Sequence, residues 1–482
     1  MINFGAVGRI LSVLLLIIGC LMWTGLPFGW YFQTTTTTAL LWSGLICCSL
    51  GVVGYFLSQG IDRTVRKREG YLIVALGWLT MTTFGMLPYL LSGVIPTIPQ
   101  AFFETVSGMT TTGASVINDI EAVPKDILYW RSLTQWIGGM GIIVLTVAIF
   151  PLLGFGGIEL FVAEAPGPTS DKIHPRISGT AKRLWLIYVG LTALLAVILS
   201  FLGMGFYEGL NHALTTMATG GFSTRNASMA AFGPTIQYVV ILFMFLAGVN
   251  YSILYFGFKR RWRDVWKSDE FRTYIWLVVL LAAIVTFKVR HATGLGWEQS
   301  FRDGLFQIVS LITTTGYVSA DYSSWADSLT MLFFILLFAG ACAGSTSGGI
   351  KIIRHLVFFK NSVLEFKRIL HPHAIVPLRV NGQVVRGRVI INVFIFLLVY
   401  LAIFVLGSII LSLMGLDFMT SLGAMATCLG NVGPGIGEVG PANNFAQLGS
   451  NIQLFLSFIM ILGRLELFTI LVLFMPYFWR LN

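Results

Sequence analysis

Four thirteen-residue segments of this chain align, without gaps, on a terminal glycine. Each begins with a small residue, continues with Phe or Leu, and carries a hydroxyl side chain six residues before the glycine. The segments are AFFETVSGMTTTG ending at Gly113, GLNHALTTMATGG at Gly221, GLFQIVSLITTTG at Gly316 and SLGAMATCLGNVG at Gly433. The hydroxyl residues are Ser107, Thr215, Ser310 and Thr427. Because the glycines are about 100 residues apart, the pattern predicts a unit of span, half-crossing and span made four times.

The length of each segment limits the structure that it can form. Twelve helical residues extend ~18 Å, about half the hydrocarbon thickness of a bilayer, so each helix is predicted to enter from outside and end near the midplane. The partial negative charge at its C-terminal end favours a cation there. Non-helical backbone is tolerated at this depth only where protein buries it or it lines a watery cavity. Four such segments around one axis therefore predict a pore.

Composition places the whole chain in a membrane. Of its 482 residues, 56% are apolar and 11% are charged, and the mean hydropathy is +0.81, which excludes a water-soluble globular protein. The predicted fold class is an all-α membrane protein with four repeated units around one central pore and an extra N-terminal pair of helices. We predict ten spans at approximately 10–31, 37–58, 70–93, 129–153, 184–204, 234–257, 273–290, 328–350, 389–414 and 450–478.

The distribution of basic residues predicts the orientation of the chain. Ten spans put both termini on one side, and that side holds most of the Lys and Arg residues, in segments such as RTVRKRE (63–69) and KRRWRDVWK (259–267). By the positive-inside rule, both termini are cytoplasmic. Topology thus explains the net charge of +10, and no nucleic acid partner is indicated.

The glycines predict how a cation is bound. Glycine lacks a Cβ, so it can take positive φ and let consecutive carbonyl groups face the same way, and rings of carbonyl oxygens can replace the hydration shell of K⁺. Asp119, Asn226, Asp321 and Glu438 follow five or six residues later and would collect cations at an outer mouth. The predicted filter, mainly of backbone carbonyls, comprises Thr111, Thr112, Gly113, Thr219, Gly220, Gly221, Thr314, Thr315, Gly316, Asn431, Val432 and Gly433.

The repeated units resemble the Trk/Ktr/HKT superfamily of potassium transporters, and the chain is most similar to its TrkH branch. The similarity extends to the N-terminal pair of spans and to AEAPGPTSDKIHPRISGTAKRLWLIY, GGFSTRNAS, GACAGSTSGGIKIIR and LGRLELFTILVLFMPYFWR. This resemblance implies a channel-like, K⁺-translocating subunit of a bacterial inner (plasma) membrane. It also implies a homodimer and a cytosolic nucleotide-binding regulatory partner of the TrkA type. Rb⁺ and Cs⁺ are further candidate ions.

The repeats divide the chain into five predicted units. These are the N-terminal two-helix unit 1–65, then 66–165 with Gly113, 166–265 with Gly221, 266–375 with Gly316, and 376–482 with Gly433. The second motif, ATGGF, and the fourth, LGNVGPG, contain extra glycines, and Pro434 follows the fourth filter glycine. We therefore expect only approximate fourfold symmetry.

A glycine-rich stretch within the eighth predicted span indicates control of the flux. Residues 340–349, GACAGSTSGG, should not form a regular helix, because each glycine costs ~1 kcal/mol relative to alanine. By resemblance, this stretch matches the intramembrane loop that blocks the conduction path. That role falls on Gly344, Ser345, Gly348 and Gly349. The alternative is that the glycines allow close helix packing.

A charge within the last predicted span indicates a second gating element. Arg464 lies at a depth where a charge is costly and normally faces a cavity or a partner. We expect Arg464 to face the pore and repel cations, the role that the resemblance implies. The alternative is a buried ion pair with Glu466 or another carboxylate.

Other classes of function are weakly indicated. No nucleophile–base pair or paired-carboxylate site stands out, so we predict no enzyme and no organic cofactor, with K⁺ as the transported ion. Glu104 and His212, at equivalent positions of their half-helices, are expected to hydrogen-bond behind the filter. His371 and His373 lack further nearby ligands for a metal. The main alternative to a channel is a symporter coupling K⁺ to H⁺ or Na⁺ by alternating access.

Gly113→Ser should reduce discrimination between K⁺ and Na⁺. In plant members of the superfamily, serine at the first filter position accompanies Na⁺ transport, and a Cβ disfavours positive φ. The measurement is the ratio of K⁺ to Na⁺ flux into proteoliposomes. A well-folded variant with an unchanged ratio would remove Gly113 from the filter.

Overall fold

The computed structural model describes residues 2–59, 66–139, 141, 177–374 and 376–480. Within these residues, six helices are long and apolar enough to cross a membrane, or eight if two sharply bent pairs each count as one span. They coincide with eight of the ten predicted spans. The second half of predicted span 129–153 lies outside the described residues, as does most of the loop that follows it.

The helices form an almost continuous series along the chain. In order they are α1 (Phe4–Trp23), α2 (Leu26–Tyr31), α3 (Thr37–Leu57), α4 (Lys67–Gly85), α5 (Leu87–Ser92), α6 (Ile98–Met109), α7 (Lys125–Gly139), α8 (Ile177–Leu199), α9 (Phe206–Met217), α10 (Pro234–Ala247), α11 (Tyr251–Phe258), α12 (Trp262–Trp266), α13 (Asp269–Thr293), α14 (Trp297–Ile312), α15 (Asp327–Leu336), α16 (Ile352–Leu370), α17 (Gly387–Leu413), α18 (Phe418–Gly430), α19 (Ser450–Arg464), α20 (Phe468–Leu471) and α21 (Pro476–Trp479).

Four short helices occupy the predicted half-crossings. These half-helices, α6, α9, α14 and α18, contain 12, 12, 16 and 13 residues, which corresponds to roughly 18–24 Å. Their start signals differ: Pro99 stands in the first turn of α6, whereas Asp417 accepts a hydrogen bond from Thr420 N (3.1 Å) before α18. Each half-helix ends three or four residues before its filter glycine.

Packing brings the ends of the half-helices together. Helix α9 packs against α7, α14 against α10, and α6 against α19, so three half-helices contact the helix that follows the filter of a neighbouring unit. The fourth makes the equivalent approach at its end, where Gly430 lies against the carbonyl oxygen of Leu337 just after α15. Since α6 and α19 lie near opposite ends of the sequence, their contact closes the arrangement.

Three predicted spans are interrupted in the structure. Helices α10 and α11 are bent by 106° across Gly248–Asn250, and the chain bends by 106° after α19. Asn250 begins α11 by accepting a hydrogen bond from Ser252 N (2.7 Å). Glu466 and Leu467 take positive φ, which ends the helical path at Arg464. The predicted spans 234–257 and 450–478 are thus each present as a bent pair of helices, a bend that the prediction did not include. The predicted break in 328–350 is present, because α15 ends at Leu336.

The all-α prediction omitted one small β-hairpin. Strands β1 (Arg379–Val380) and β2 (Gln383–Val384) pair antiparallel between α16 and α17. Asn381 and Gly382 join them with φ of 52° and 77°. This is the conformation that Asn-Gly favours in a two-residue hairpin turn.

Gly138→Ala should destabilise the protein. A Cβ at Gly138 in α7 would stand closer than 3.0 Å to the carbonyl oxygen of Met109, which ends α6. Backbone cannot rotate away as a side chain can, so we expect a loss of about 1–3 kcal/mol and a lower melting temperature of the detergent-purified protein.

Gly190→Ala is the matched control for this substitution. Gly190 lies in α8, and a Cβ there would meet no atom within 4 Å. We expect its melting temperature to be equal or higher, because alanine has the better helix propensity. Equal melting temperatures for Gly138→Ala and the unmodified protein would contradict the tight approach of α6 and α7.

Candidate functional site

All four half-helices end in the same type of hydrogen-bonded cap. The amide of the residue before the filter glycine donates to the carbonyl oxygen five residues earlier. The distances are 2.9 Å for Thr112 N to Ser107 O, 2.9 Å for Gly220 N to Thr215 O, 2.8 Å for Thr315 N to Ser310 O and 3.0 Å for Val432 N to Thr427 O. This is the long bond of a Schellman cap. The hydroxyl residue of each motif thus ends its helix through its backbone carbonyl.

The backbone alternates in handedness at each cap. Two residues before each filter glycine, φ is positive: 55° at Thr111, 54° at Thr219, 55° at Thr314 and 54° at Asn431. The filter glycines have φ of 83° at Gly113, 78° at Gly221, 75° at Gly316 and 106° at Gly433. The residue between each pair does not take positive φ. Positive φ costs a residue with a Cβ of order 1–3 kcal/mol, so the surrounding structure must enforce this conformation at the threonines.

The four glycines meet in a closed cycle. A Cβ at each would stand closer than 3.0 Å to a carbonyl oxygen of the next motif: from Gly113 to Gly220 O, from Gly221 to Thr315 O, from Gly316 to Val432 O and from Gly433 to Thr112 O. Each oxygen belongs to the residue before the next filter glycine, and the fourth contact returns to the first motif. The structure therefore brings all twelve predicted filter residues together, and both φ and space restrict the glycine positions.

A buried ion pair supports the first motif from behind. Arg131 Nε in α7 lies 2.7 Å from Glu104 Oε1 in α6, and both side chains are almost fully buried. Glu104 also accepts hydrogen bonds from Val116 N (2.8 Å) and Ser115 Oγ (3.0 Å), just beyond the filter. Arg131 donates to the carbonyl oxygen of Ser223 (3.1 Å) and so joins the first motif to the second.

His212 supports the second motif in the same way. Its Nδ1 lies 2.9 Å from the carbonyl oxygen of Glu208, and its Nε2 lies 3.0 Å from Ser223 Oγ. Glu104 and His212 thus both form buried hydrogen bonds next to the predicted filter segments. Tyr317, directly after the third filter glycine, adds a link by placing its hydroxyl 2.5 Å from Thr215 Oγ1.

The four residues proposed for an outer mouth are all exposed. Asn226 Nδ2 donates to Asp119 Oδ1 (2.9 Å), and its Oδ1 accepts from Ile120 N (2.7 Å). The hydrogen bond from Asn226 lowers the pKa of Asp119 below its usual value, so this carboxylate stays ionised to lower pH. Asp321 instead begins a 3₁₀ turn by accepting from Ser323 N (3.0 Å).

The glycine-rich stretch forms a loop that is closed at its base. Gly340 N donates to the carbonyl oxygen of Ile350 (2.8 Å), and Ile350 N donates to that of Phe338 (3.2 Å). Glu270 Oε1, near the start of α13, accepts from Ala343 N (2.7 Å) and from Ile353 N (3.1 Å). One carboxylate thus fastens both arms of the loop.

The loop contacts the inner ends of three half-helices. Gly348 N donates to Thr314 Oγ1 (2.6 Å), and Thr346 Oγ1 donates to the carbonyl oxygen of Met217, the last residue of α9 (3.1 Å). Gly348 also packs against Gly430 and Asn431 at the end of α18. The loop therefore lies directly against the filter segments.

The other predicted gate residues lie elsewhere in the loop. The carbonyl oxygen of Gly344 accepts from Tyr251 N (3.1 Å), and Ser345 Oγ donates to the carbonyl oxygen of Cys342 (2.6 Å). Gly349 takes a φ of 64° and packs against Gly340 at the base. Of the four residues, Gly348 is the one that contacts Thr314 and Asn431 of the predicted filter segments.

Arg464 joins the loop to the last described turn of α7. Its guanidinium donates to the carbonyl oxygens of Thr346 (2.9 Å), Gly138 (2.5 Å) and Gly139 (3.0 Å). Glu466, the partner considered for Arg464, forms an ion pair with Arg354.

No metal cluster is present in the part of the chain that the structure describes, where no group of three or more His, Cys, Asp or Glu side chains could bind an ion. His371 directly follows α16. All five cysteines are free thiols.

The fold combines long apolar helices with four buried half-helices whose ends form a ring of backbone groups. These features define a helical membrane transporter. A family model described as a cation transport protein, TrkH, matches residues 37–480. The chain belongs to the TrkH family of cation transport proteins.

Individual relatives cover nearly the whole chain. It is 37% identical over 487 residues to the Trk system potassium uptake protein TrkH of Salmonella typhimurium, which covers 99% of this chain and 100% of that protein. It is 38% identical over 443 residues to the protein TrkI of Halomonas elongata, with 90% and 89% covered. The crystal structure of the potassium transporter TrkH from Vibrio parahaemolyticus superposes with a TM-score of 0.89 at 34% identity, covering 99% of this chain and 100% of that chain.

Sequence reasoning missed three charged residues of the site. Arg131 lies inside predicted span 129–153. A charged residue within a span usually marks a functional position, so the sequence alone could have indicated it. Glu270 adjoins the basic loop before α13 and looked like an ordinary surface residue. Lys351 is buried and donates to Ser347 Oγ (3.1 Å) in the glycine-rich loop, a contact that only the folded loop creates.

Glu104→Gln should destabilise the protein strongly. The substitution keeps the shape of the side chain but leaves the buried charge of Arg131 without its counter-ion, which costs about 3–5 kcal/mol. Thermal unfolding of the purified protein measures the loss.

The control is Glu298→Gln on another half-helix. Glu298 lies 3.1 Å from Arg302 but is 61% exposed, so its loss should cost at most about 1 kcal/mol. Equal shifts in melting temperature for the two variants would show that the Glu104 pair is no more important than a surface pair.

Proposed function

We propose that this chain is the K⁺-translocating subunit of a Trk-type uptake system and that it provides a channel-like pathway. Two curated relatives are named potassium uptake proteins of the Trk system. The observation that carries the proposal is the closed cycle of four glycines, each lying against a carbonyl oxygen of the next motif. A ring of main-chain oxygens provides the ligands that a dehydrated K⁺ requires.

Selection is assigned to the backbone of the four motifs. Alternating positive and negative φ turns successive carbonyl groups to one side of the chain. Four such strands around an axis would surround a cation with oxygen atoms at more than one level. The C-terminal ends of the half-helices add partial negative charge on the same axis. The twelve filter residues given above are the proposed ion ligands.

Gating is assigned to the glycine-rich loop and Arg464. The loop contacts Thr314 at the inner end of the filter, so an ion leaving the filter would meet it. Arg464 holds Thr346 of the loop by a hydrogen bond and places a positive charge beside the same path. Opening would require Gly348 to leave Thr314, and the glycines permit that change of backbone. Gly344, Ser345 and Gly349 would act as pivots.

The remaining assignments concern the setting of the protein. We place it in a bacterial inner membrane with both termini cytoplasmic, as a homodimer of five-unit chains divided near residues 65, 165, 265 and 375. A TrkA-type nucleotide-binding subunit would regulate it from the cytosol. Rb⁺ and Cs⁺ are further ions to test.

Flux into proteoliposomes tests the proposal. K⁺ uptake that exceeds Na⁺ uptake, without dependence on a pH or Na⁺ gradient and without fixed stoichiometry, would support the channel. Two bent helix pairs occur among the described residues, and broken helices are also common in coupled carriers, so the gradient dependence is decisive. Strict dependence on H⁺ or Na⁺ would favour symport, and an absence of flux with and without the nucleotide-binding partner would reject transport.

Arg464→Ala should increase K⁺ flux. The substitution removes a positive charge beside the proposed path and three hydrogen bonds to backbone carbonyls, including the one that holds the loop. Initial K⁺ uptake per reconstituted protein is the measurement. Arg368→Ala, which removes a charge paired with the exposed residue Glu365 on α16, should leave uptake unchanged. Unchanged or lower uptake in a well-folded Arg464→Ala protein would reject this role.

A further inference from the structure

A buried glutamine brackets the second filter glycine. Gln135 lies in α7 and is fully buried. Its Nε2 donates to the carbonyl oxygen of Gly220 (2.5 Å), and its Oε1 accepts from Phe222 N (3.0 Å). One side-chain amide thus binds the backbone on both sides of Gly221, although it belongs to the unit that carries the first motif.

The same glutamine explains why the second motif contains two glycines. The residues equivalent to Gly220 are Thr112, Thr315 and Val432, all with side chains. Gly220 does not take positive φ, so its backbone conformation does not require glycine. A Cβ at Gly220 would stand closer than 3.0 Å to Cδ, Oε1 and Nε2 of Gln135. Glycine at 220 therefore leaves the space that Gln135 fills.

We propose that Gln135 is a positioning residue for ion selection, an inference that rests on the proposed function. Its amide takes the place of the absent side chain at 220 and fixes the direction of the Gly220 carbonyl. That oxygen is the one that lies against Gly113, so Gln135 fixes the junction between the first and second motifs. The equivalent residues of the other three motifs carry side chains of their own.

Gln135→Met tests the hydrogen bonds. Methionine has a similar length but neither donates to Gly220 nor accepts strongly from Phe222. We expect a several-fold lower ratio of K⁺ to Na⁺ flux in proteoliposomes. The matched control is Gln237→Met, because Gln237 is also buried and donates to the carbonyl oxygens of Met229 and Phe232 (3.0 Å each), away from the filter. This control should lower the melting temperature and leave the ratio unchanged.

Gly220→Ala tests the shared space and does not depend on the methionine variant folding. Alone, it should reduce K⁺ flux and selectivity, because the new Cβ collides with Gln135. Gln135→Ala empties that space. The double variant should therefore show higher K⁺ flux and a higher ratio of K⁺ to Na⁺ flux than Gly220→Ala alone. Simple addition of the two losses would overturn the proposal.

The outcomes separate this inference from the proposed function. An unmodified protein that passes no K⁺ would reject the function itself. An unmodified protein that selects K⁺, together with equal ratios for Gln135→Met and Gln237→Met, would reject only the role of Gln135.

Discussion

A buried non-helical backbone segment must satisfy its own polar groups, and the rest of this structure depends on that requirement. An unpaired amide or carbonyl in hydrocarbon costs several kcal/mol. Here the caps of the half-helices use the same long hydrogen bond in all four motifs, and the carbonyl oxygen beyond each cap lies against the glycine of the preceding motif. The four segments depend on one another, because each glycine lies against a carbonyl oxygen that the neighbouring motif supplies.

The supporting side chains differ from one motif to the next although the backbone does not. The first motif relies on the Glu104–Arg131 pair, the second on His212 and Gln135, and Asn431 of the fourth donates to Thr112 of the first (2.9 Å). The filter glycine therefore recurs in all four motifs, because the backbone conformation there is the same. The supporting side chains vary, because a neighbouring element can supply the same support. This explains the extra glycine of the second motif.

The helical fold and the meeting of the four glycine motifs were largely predictable, and the contacts of the glycine-rich loop were not. The length of the apolar segments and the alignment of the four motifs on their terminal glycines located the half-helices and the residues that meet beyond them. The bends after Ala247 and Arg464 escaped prediction because the sequences around them are as apolar as a continuous span. Glu270 escaped because its role is to accept from Ala343 and Ile353, which are distant in sequence.

Sequence alone determined the membrane setting, the four short helices and the positions where only glycine fits, because these follow from local properties: apolar length, helix-ending residues and the absence of a Cβ. Tertiary structure alone decided which motif lies beside which, that Glu466 pairs with Arg354, and that Arg464 and the glycine-rich loop meet. Those contacts join residues at least 94 positions apart. Only the packing of α6 against α19 and its counterparts brings such residues within hydrogen-bonding distance.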